Sequence, residues 1–252
     1  MTAEVNDATL AKRLAQGTGE ILKGVRNVGL LRGEELGKAG DAAAQDWIAR
    51  CLAVHRPNDS VLSEEAPDDR TRLNNNRVWI IDPLDGTREF AGGRQDWAVH
   101  IALAEDGVIT HSAVGMPDLG MVFSTSDVRR VDGPKTNRLV ISRNSEVPVA
   151  EFIAEDLGME LIKMGSCGAK VVSVVLGDND AYVHCGGQYE WDNAAPIGIA
   201  QAAGLHATRL DGTEFEYNQD DTYLPDLLVS RPDIAEKLLE SAQRYKDKFG
   251  KF

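Results

Sequence analysis

Cysteine is scarce in this chain. Cys51, Cys167 and Cys185 are odd in number, widely spaced and without a CxxC pairing, which argues against a disulfide framework or a cysteine zinc site. Basic charge is also short, with 27 Lys and Arg against 40 Asp and Glu and a formal net charge of -13. A nucleic-acid partner is therefore not expected, because affinity for a phosphate backbone rests on Lys and Arg. No apolar run approaches the roughly 18–20 residues that span a bilayer, so no membrane partner is expected either. The segment Met1-Thr2-Ala3-Glu4-Val5-Asn6-Asp7 has neither the basic nor the apolar region of a secretory signal, and a cytoplasmic location is the expectation. Internal repeats, low-complexity tracts and long Pro/Gly linkers are absent.

What is there is an ordinary globular composition, 42% hydrophobic and 27% charged over 252 residues. That suffices for one large domain or two lobes around a substantial core. Residues 7–26 predict a helix with Leu10, Leu14, Ile21, Leu22 and Val25 on its apolar face. Residues 41–54 predict another, with Asp41 near its start and Pro57 beyond its end. The period then shortens. Val61-Leu62-Ser63 and Val78-Trp79-Ile80-Ile81 read as buried strands. Residues 97–103 and 108–114 read as a hairpin about Asp106-Gly107, continued by 121–124. Beyond Asp132-Gly133-Pro134-Lys135, strands at 139–142, 160–163, 181–184 and 227–229 alternate with helices at 147–156, 168–176, 192–203 and 232–247. Two lobes are expected, 1–133 of α+β type and 134–252 of α/β type.

The informative segment is Asp82-Pro83-Leu84-Asp85-Gly86-Thr87, directly behind a buried run. It predicts an abrupt strand end after Ile81 with two carboxylates at the C-terminal edge, where ligands of open sheets collect. Gly86 allows close backbone approach, and a helical turn opening at Gly86-Thr87-Arg88 would offer N–H groups to a phosphate. A lone Asp-Gly is usually a turn, yet here two acids and a threonine stand at fixed offsets. Glu64-Glu65 after Val61-Leu62 and Asp192 in Trp191-Asp192-Asn193-Ala194-Ala195 add further acids. Each alone fits a surface pair or a helix cap. A small anion bound among so many carboxylates needs a divalent cation to reverse the local field.

DPLDGT, preceded by Ser63-Glu64-Glu65 and followed by WDxAA, resembles the signature of the inositol monophosphatase superfamily. Its members are Mg²⁺-dependent, often lithium-inhibited phosphatases of αβαβα layered, mixed α/β fold. The run from Val61 through Phe90 is similar to the CysQ branch of 3′-phosphoadenosine 5′-phosphate (PAP) phosphatases, closest to the actinobacterial type. The resemblance implies that Glu64, Asp82 and the Leu84 carbonyl bind a first Mg²⁺. It implies that Asp82, Asp85 and Asp192 bind a second, with Glu65 assisting a third, weaker ion or its waters. Gly86 and Thr87 would hold the scissile phosphate through backbone N–H groups, and Thr87 with Asp41 would orient and deprotonate the attacking water. Ser166 is a candidate substrate contact, Arg143 and Lys170 are candidates for a second phosphate, and Arg88 either orients Glu89 or meets substrate. A homodimer is among the expected partners. Two positions depart from the pattern. Lys38 replaces a threonine, and Ser142-Arg143-Asn144-Ser145 lacks the branch's histidine.

Inositol monophosphate and fructose 1,6-bisphosphate are alternative substrates, since each presents a phosphate to the same metals. Haloacid dehalogenase phosphatases place their acids as Asp-x-Asp with a covalent nucleophile, whereas the spacing here is Asp-x-x-Asp. A non-catalytic divalent-metal-binding protein is the alternative of another class, but it has no need of Thr87 or Asp41. His100 and His184 read as strand residues with local hydrogen bonds.

Overall fold

The structure, a computed structural model, describes residues 5–252; Met1–Glu4 of the N-terminal segment lie outside the described residues. The chain opens with α1 (Asp7–Asn27) and α2 (Gly33–His55). Asn6 caps α1 by accepting from Thr9 N at 2.9 Å, and Leu10, Leu14 and Leu22 lie on its buried face. α2 begins well before residue 41. Glu34 and Glu35 suit its first turn, but Gly33, Gly37 and Gly40 obscure the signal because glycine is a poor helix former. Asp41 therefore sits in the third turn, a correction to its expected place near the start. Two of the glycines have a packing reason. A Cβ on Gly37 would lie 2.6 Å from Thr87 Cγ2, and one on Gly40 would lie 3.0 Å from Phe90 Cε1.

The first sheet has the order β1 (Ser60–Ser63), β2 (Arg77–Asp85), β3 (Ala98–Glu105), β4 (Val108–Met116) and β5 (Met121–Ser124). β1 is parallel to β2 and the rest are antiparallel. Asp106 and Gly107 turn between β3 and β4 with φ of 50° and 80°, as a two-residue hairpin requires. A short helix, α3 (Thr87–Ala91), lies between β2 and β3. The second sheet contains β6 (Arg138–Ser142), β7 (Glu160–Met164), β8 (Ala181–Tyr189), β9 (His206–Thr208) and β10 (Tyr223–Ser230). Its order is β7-β6-β8-β10-β9. β9 went unforeseen because three residues hold too little periodicity to read.

Strand alternation sorts the core into layers. Trp79, Ile81, Val99, Ile101 and Leu103 face α1 and α2. Val78, Ile80 and Ala102 on the opposite face meet α5 (Cys167–Val175) and α6 (Glu190–Ala202). The second sheet covers the other side of those helices with Val140, Tyr182, Leu227 and Val229. Its far face carries Leu139, Ile141, Val183 and Leu228 against α4 (Pro148–Leu157) and α7 (Pro232–Phe249). The result is the expected αβαβα stack. Every residue of α5 is buried, as a helix between two sheets must be, and its run of apolar residues follows from that position. Among the described residues, no helix is long and apolar enough to cross a membrane.

Candidate active site

β2 continues past Ile81 instead of stopping there. Asp82 pairs with His100 and Asp85 with Ala98, so the register slips by one residue between them. The expected strand end is thus a β-bulge, where a proline without an N–H is tolerated. Within the bulge, Asp82 Oδ1 accepts from Leu84 N at 2.9 Å. The Leu84 carbonyl accepts from Thr87 Oγ1 at 3.1 Å. Gly86 adopts φ of 88°, and a Cβ there would lie 3.3 Å from Trp97 Cβ. The chain then turns into α3 at Thr87, as expected.

Other elements bring further acids to this bulge. β1 runs parallel to β2, and Glu64 N donates to Ile81 O at 3.2 Å, which sets Glu64 beside Asp82. Asp192 caps its own helix by accepting from Tyr189 N at 2.6 Å, and it lines the cleft as well. Ser166 Oγ and Gly168 N donate to Asp85 Oδ2 at 2.6 and 3.1 Å. The cleft measures about 400 Å³ and is lined by Glu64, Asp82, Leu84, Asp85 and Asp192, with Gly86, Thr87, Arg88, Ser166 and Lys170. Asp41 lies on the opposite side of Thr87, in an adjoining cavity that shares Thr87 and Arg88. Glu65 is exposed beside the cleft, and its charge acts on Asp41.

The carboxylates resist ionisation together. Burial, then Glu64, Asp85 and Asp192, raises Asp82 well above the usual carboxylate range. Burial and Asp85 push Asp192 up to about 8. Glu64 opens to solvent at the rim, yet partial enclosure and repulsion from Asp85 and Glu65 push it up to about 7. Asp41 also rises to about 7 through burial and the charges of Glu65 and Glu64. Hard oxygen donors that each prefer to keep a proton are the electrostatic complement of a divalent cation. One ligand atom each from Asp82, Asp85 and His100 lies within 4.8 Å of the others, a group able to hold a metal ion.

His100 lies in a strand, as the sequence predicts. It does hold a local contact, Nδ1 at 3.3 Å from Trp191 O, but Nε2 lies 3.2 Å from Asp85 Oδ2. The signal for it was the pairing of β3 with Asp82, which sequence alone does not display. Arg143 requires a correction. Its guanidinium donates to Glu89 Oε1 at 3.0 Å and Asp96 Oδ2 at 2.5 Å, and it is not among the residues lining the cleft. Two carboxylates claim it, so it is no free cation for a substrate phosphate. Lys170 does line the cleft, but Nζ donates to Gly165 O and Ser166 O at 2.6 and 2.8 Å, occupying two of its three donors.

Residues 5–247 match the model of the Inositol monophosphatase family. The chain belongs to that family. It is 48% identical over 253 residues to the 3′-phosphoadenosine 5′-phosphate phosphatase of Mycobacterium leprae, covering 94% of this chain and 93% of the relative. It is 30% identical to the 3′(2′),5′-bisphosphate nucleotidase CysQ of Escherichia coli K12, covering 74% and 81%. Among solved structures it is similar to CysQ from Bacteroides thetaiotaomicron, with a TM-score of 0.77 and 25% identity over 89% of this chain and 97% of that one. The expected affinity to the CysQ branch of the inositol monophosphatase family, and to its actinobacterial members, stands.

Proposed function

We propose that this chain is a Mg²⁺-dependent phosphatase that removes the 3′-phosphate of PAP, releasing AMP, with water as the nucleophile. The observation that carries the reaction class is the convergence of Glu64, Asp82, Asp85 and Asp192 beside the Gly86–Thr87 turn in one cleft. The choice of PAP is supported by the 48% identity to the M. leprae enzyme. Glu64, Asp82 and the Leu84 carbonyl would hold one Mg²⁺, and Asp82, Asp85 and Asp192 a second, with Glu65 near a third. When bound, these ions would polarise the phosphoryl oxygens and lower the pKa of the attacking water.

The chain's own groups do the positioning. The N–H groups of Gly86 and Thr87 hold the phosphate. Thr87 Oγ1 orients the water and passes its proton on to Asp41 as the P–O3′ bond breaks, and the leaving 3′-oxygen takes up a proton from solvent. Ser166 Oγ and Gly168 N fix Asp85 Oδ2, keeping that carboxylate turned toward the cleft. Arg88 and the third donor of Lys170 are the cationic groups left on the cleft wall for the 5′-phosphate.

The test is phosphate release from PAP, inositol 1-phosphate and fructose 1,6-bisphosphate at equal Mg²⁺, with a parallel series in EDTA. The highest kcat/KM is expected for PAP, and activity should vanish in EDTA and return with Mg²⁺. Equal efficiency on inositol 1-phosphate would remove the nucleotide assignment, and full turnover in EDTA would remove the metal.

A further inference from the structure

β8 presents polar groups to the same cleft that the reaction does not use. His184 Nε2 lies 2.7 Å from the carbonyl oxygen of Gly186. A carbonyl can only accept, so Nε2 carries the ring proton and Nδ1 is a bare acceptor. Among the described residues, no group donates to Nδ1, which is buried. Burial and the nearby Lys170 push the His184 pKa down to about 4, so the ring stays neutral and this acceptor persists at neutral pH. Gln188 has the same problem. Its Nε2 donates to Tyr182 Oη at 3.3 Å, while its buried Oε1 has no donor among the described residues. Both side chains are only 6% exposed and both line the cleft. Lys170, the nearest cation, has its ammonium turned to Gly165 O and Ser166 O.

The backbone is irregular where these two residues line the cleft. Gly186 and Gly187 take φ of 84° and 78°, and the pairing of β8 with β10 slips in register between Leu224 and Asp226. A bulge of this kind re-aims side chains beside a site. Buried acceptors without donors are rare in folded proteins and are unfavourable until an N–H or O–H meets them.

We infer that this stretch of β8 selects the leaving group, His184 Nδ1 and Gln188 Oε1 accepting hydrogen bonds from hydroxyl or amino groups of the nucleoside released in the reaction. The inference rests on the phosphatase reading and deepens it, because phosphate-binding groups recognise every phosphomonoester alike. A nucleoside carries ribose O–H and base N–H donors. An aryl leaving group such as p-nitrophenol carries none that survives esterification.

The experiment compares wild type with Gln188→Met and His184→Phe on PAP and on p-nitrophenyl phosphate. In each variant the ratio of kcat/KM for PAP over p-nitrophenyl phosphate is expected to fall about tenfold, mainly through KM. On wild type, PAP analogues lacking the 2′-hydroxyl or the 6-amino group should show a loss of similar size for at least one of the two. That same loss should shrink in the variant whose acceptor it meets. A parallel decline on PAP and p-nitrophenyl phosphate, or an unchanged ratio in both variants, overturns the inference. Wild type that cleaves p-nitrophenyl phosphate but not PAP refutes the PAP assignment alone. Inositol 1-phosphate, whose leaving group carries hydroxyls, then takes PAP's place in the same ratio.

Discussion

Asp82 is buried beside Glu64, Asp85 and Asp192, and each of these acids makes its ionisation harder. Replacing it with Asn keeps the shape and removes the charge. Activity should fall on the order of 10³-fold, the scale of lost metal-assisted charge stabilisation. The metal-free variant should nevertheless melt no lower than metal-free wild type at pH 8, because a buried repulsion is gone. Wild-type kcat in Asp82→Asn would show that this carboxylate does not serve the metals. Thr87 stands in a different position, since Oγ1 donates to the Leu84 carbonyl and also faces Asp41. Thr87→Ala is expected to lower kcat about 10²-fold, as loss of a positioned proton-transfer partner does, with the Mg²⁺ dependence unchanged. A matching shift in the Mg²⁺ requirement would mean that Thr87 acts by orienting Leu84. Both residues stood out in the sequence through their fixed offsets behind an apolar run. His184 and Gln188 did not, because nothing in a linear pattern marks a buried atom as unpaired.

At the scale of elements, Arg143 just beyond β6 ties the second sheet to α3, which opens at the Gly86–Thr87 turn. It holds Glu89 of α3 and also Asp96, whose Oδ2 accepts from Gly165 N at 2.7 Å. Gly165 has no room for a side chain, since a Cβ there would lie 2.5 Å from Glu89 Cγ. Arg143→Ala should therefore lower kcat/KM for PAP and for single-phosphate substrates by the same factor. It should also lower stability by about 1–3 kcal/mol, since Glu89 would be left buried without its cation. Calorimetry and paired kinetics check both, and a loss confined to PAP would restore the substrate contact first expected of Arg143. The helices and most strands were legible because amphipathic period and turn chemistry are local. The start of α2 was not, because its glycines serve contacts with Thr87 and Phe90, and those contacts lie outside the segment.

For the molecule as a whole, the crowded acids set a pH dependence. Asp41 and Glu64 rise to about 7 and Asp192 to about 8, as does Glu190 to about 7 through burial, despite accepting from Asn218 N and Gln219 N. The metal-free folded state thus binds more protons than the unfolded chain between about pH 4 and 8, so stability should fall as pH rises through that window. Asp96 acts in the opposite sense. Although partly buried, it is held at about 2 by Gly165 N–H, Arg143 and Arg94, and its contribution is lost only in acid below that window. Thermal melts in EDTA should therefore give a lower Tm at pH 8 than at pH 5. Added Mg²⁺ should raise Tm more at pH 8, where it displaces fewer protons. An EDTA Tm that climbed from pH 5 to 8 would contradict this picture.

By itself, the sequence determined most of the helices and strands and the acidic signature at Glu64, Asp82, Asp85 and Asp192, because strand and helix periods and fixed motif offsets are short-range properties. The layered stack was implied only by the family resemblance of that signature. Tertiary structure alone decided that β2 bulges at Pro83 rather than ending, that Arg143 is spent on Glu89 and Asp96, that His100 meets Asp85, and that His184 and Gln188 line the cleft. Those outcomes depend on which strands pair, in which register, and on which donors remain after pairing. Such quantities arise only when residues far apart in the chain compete for the same partners.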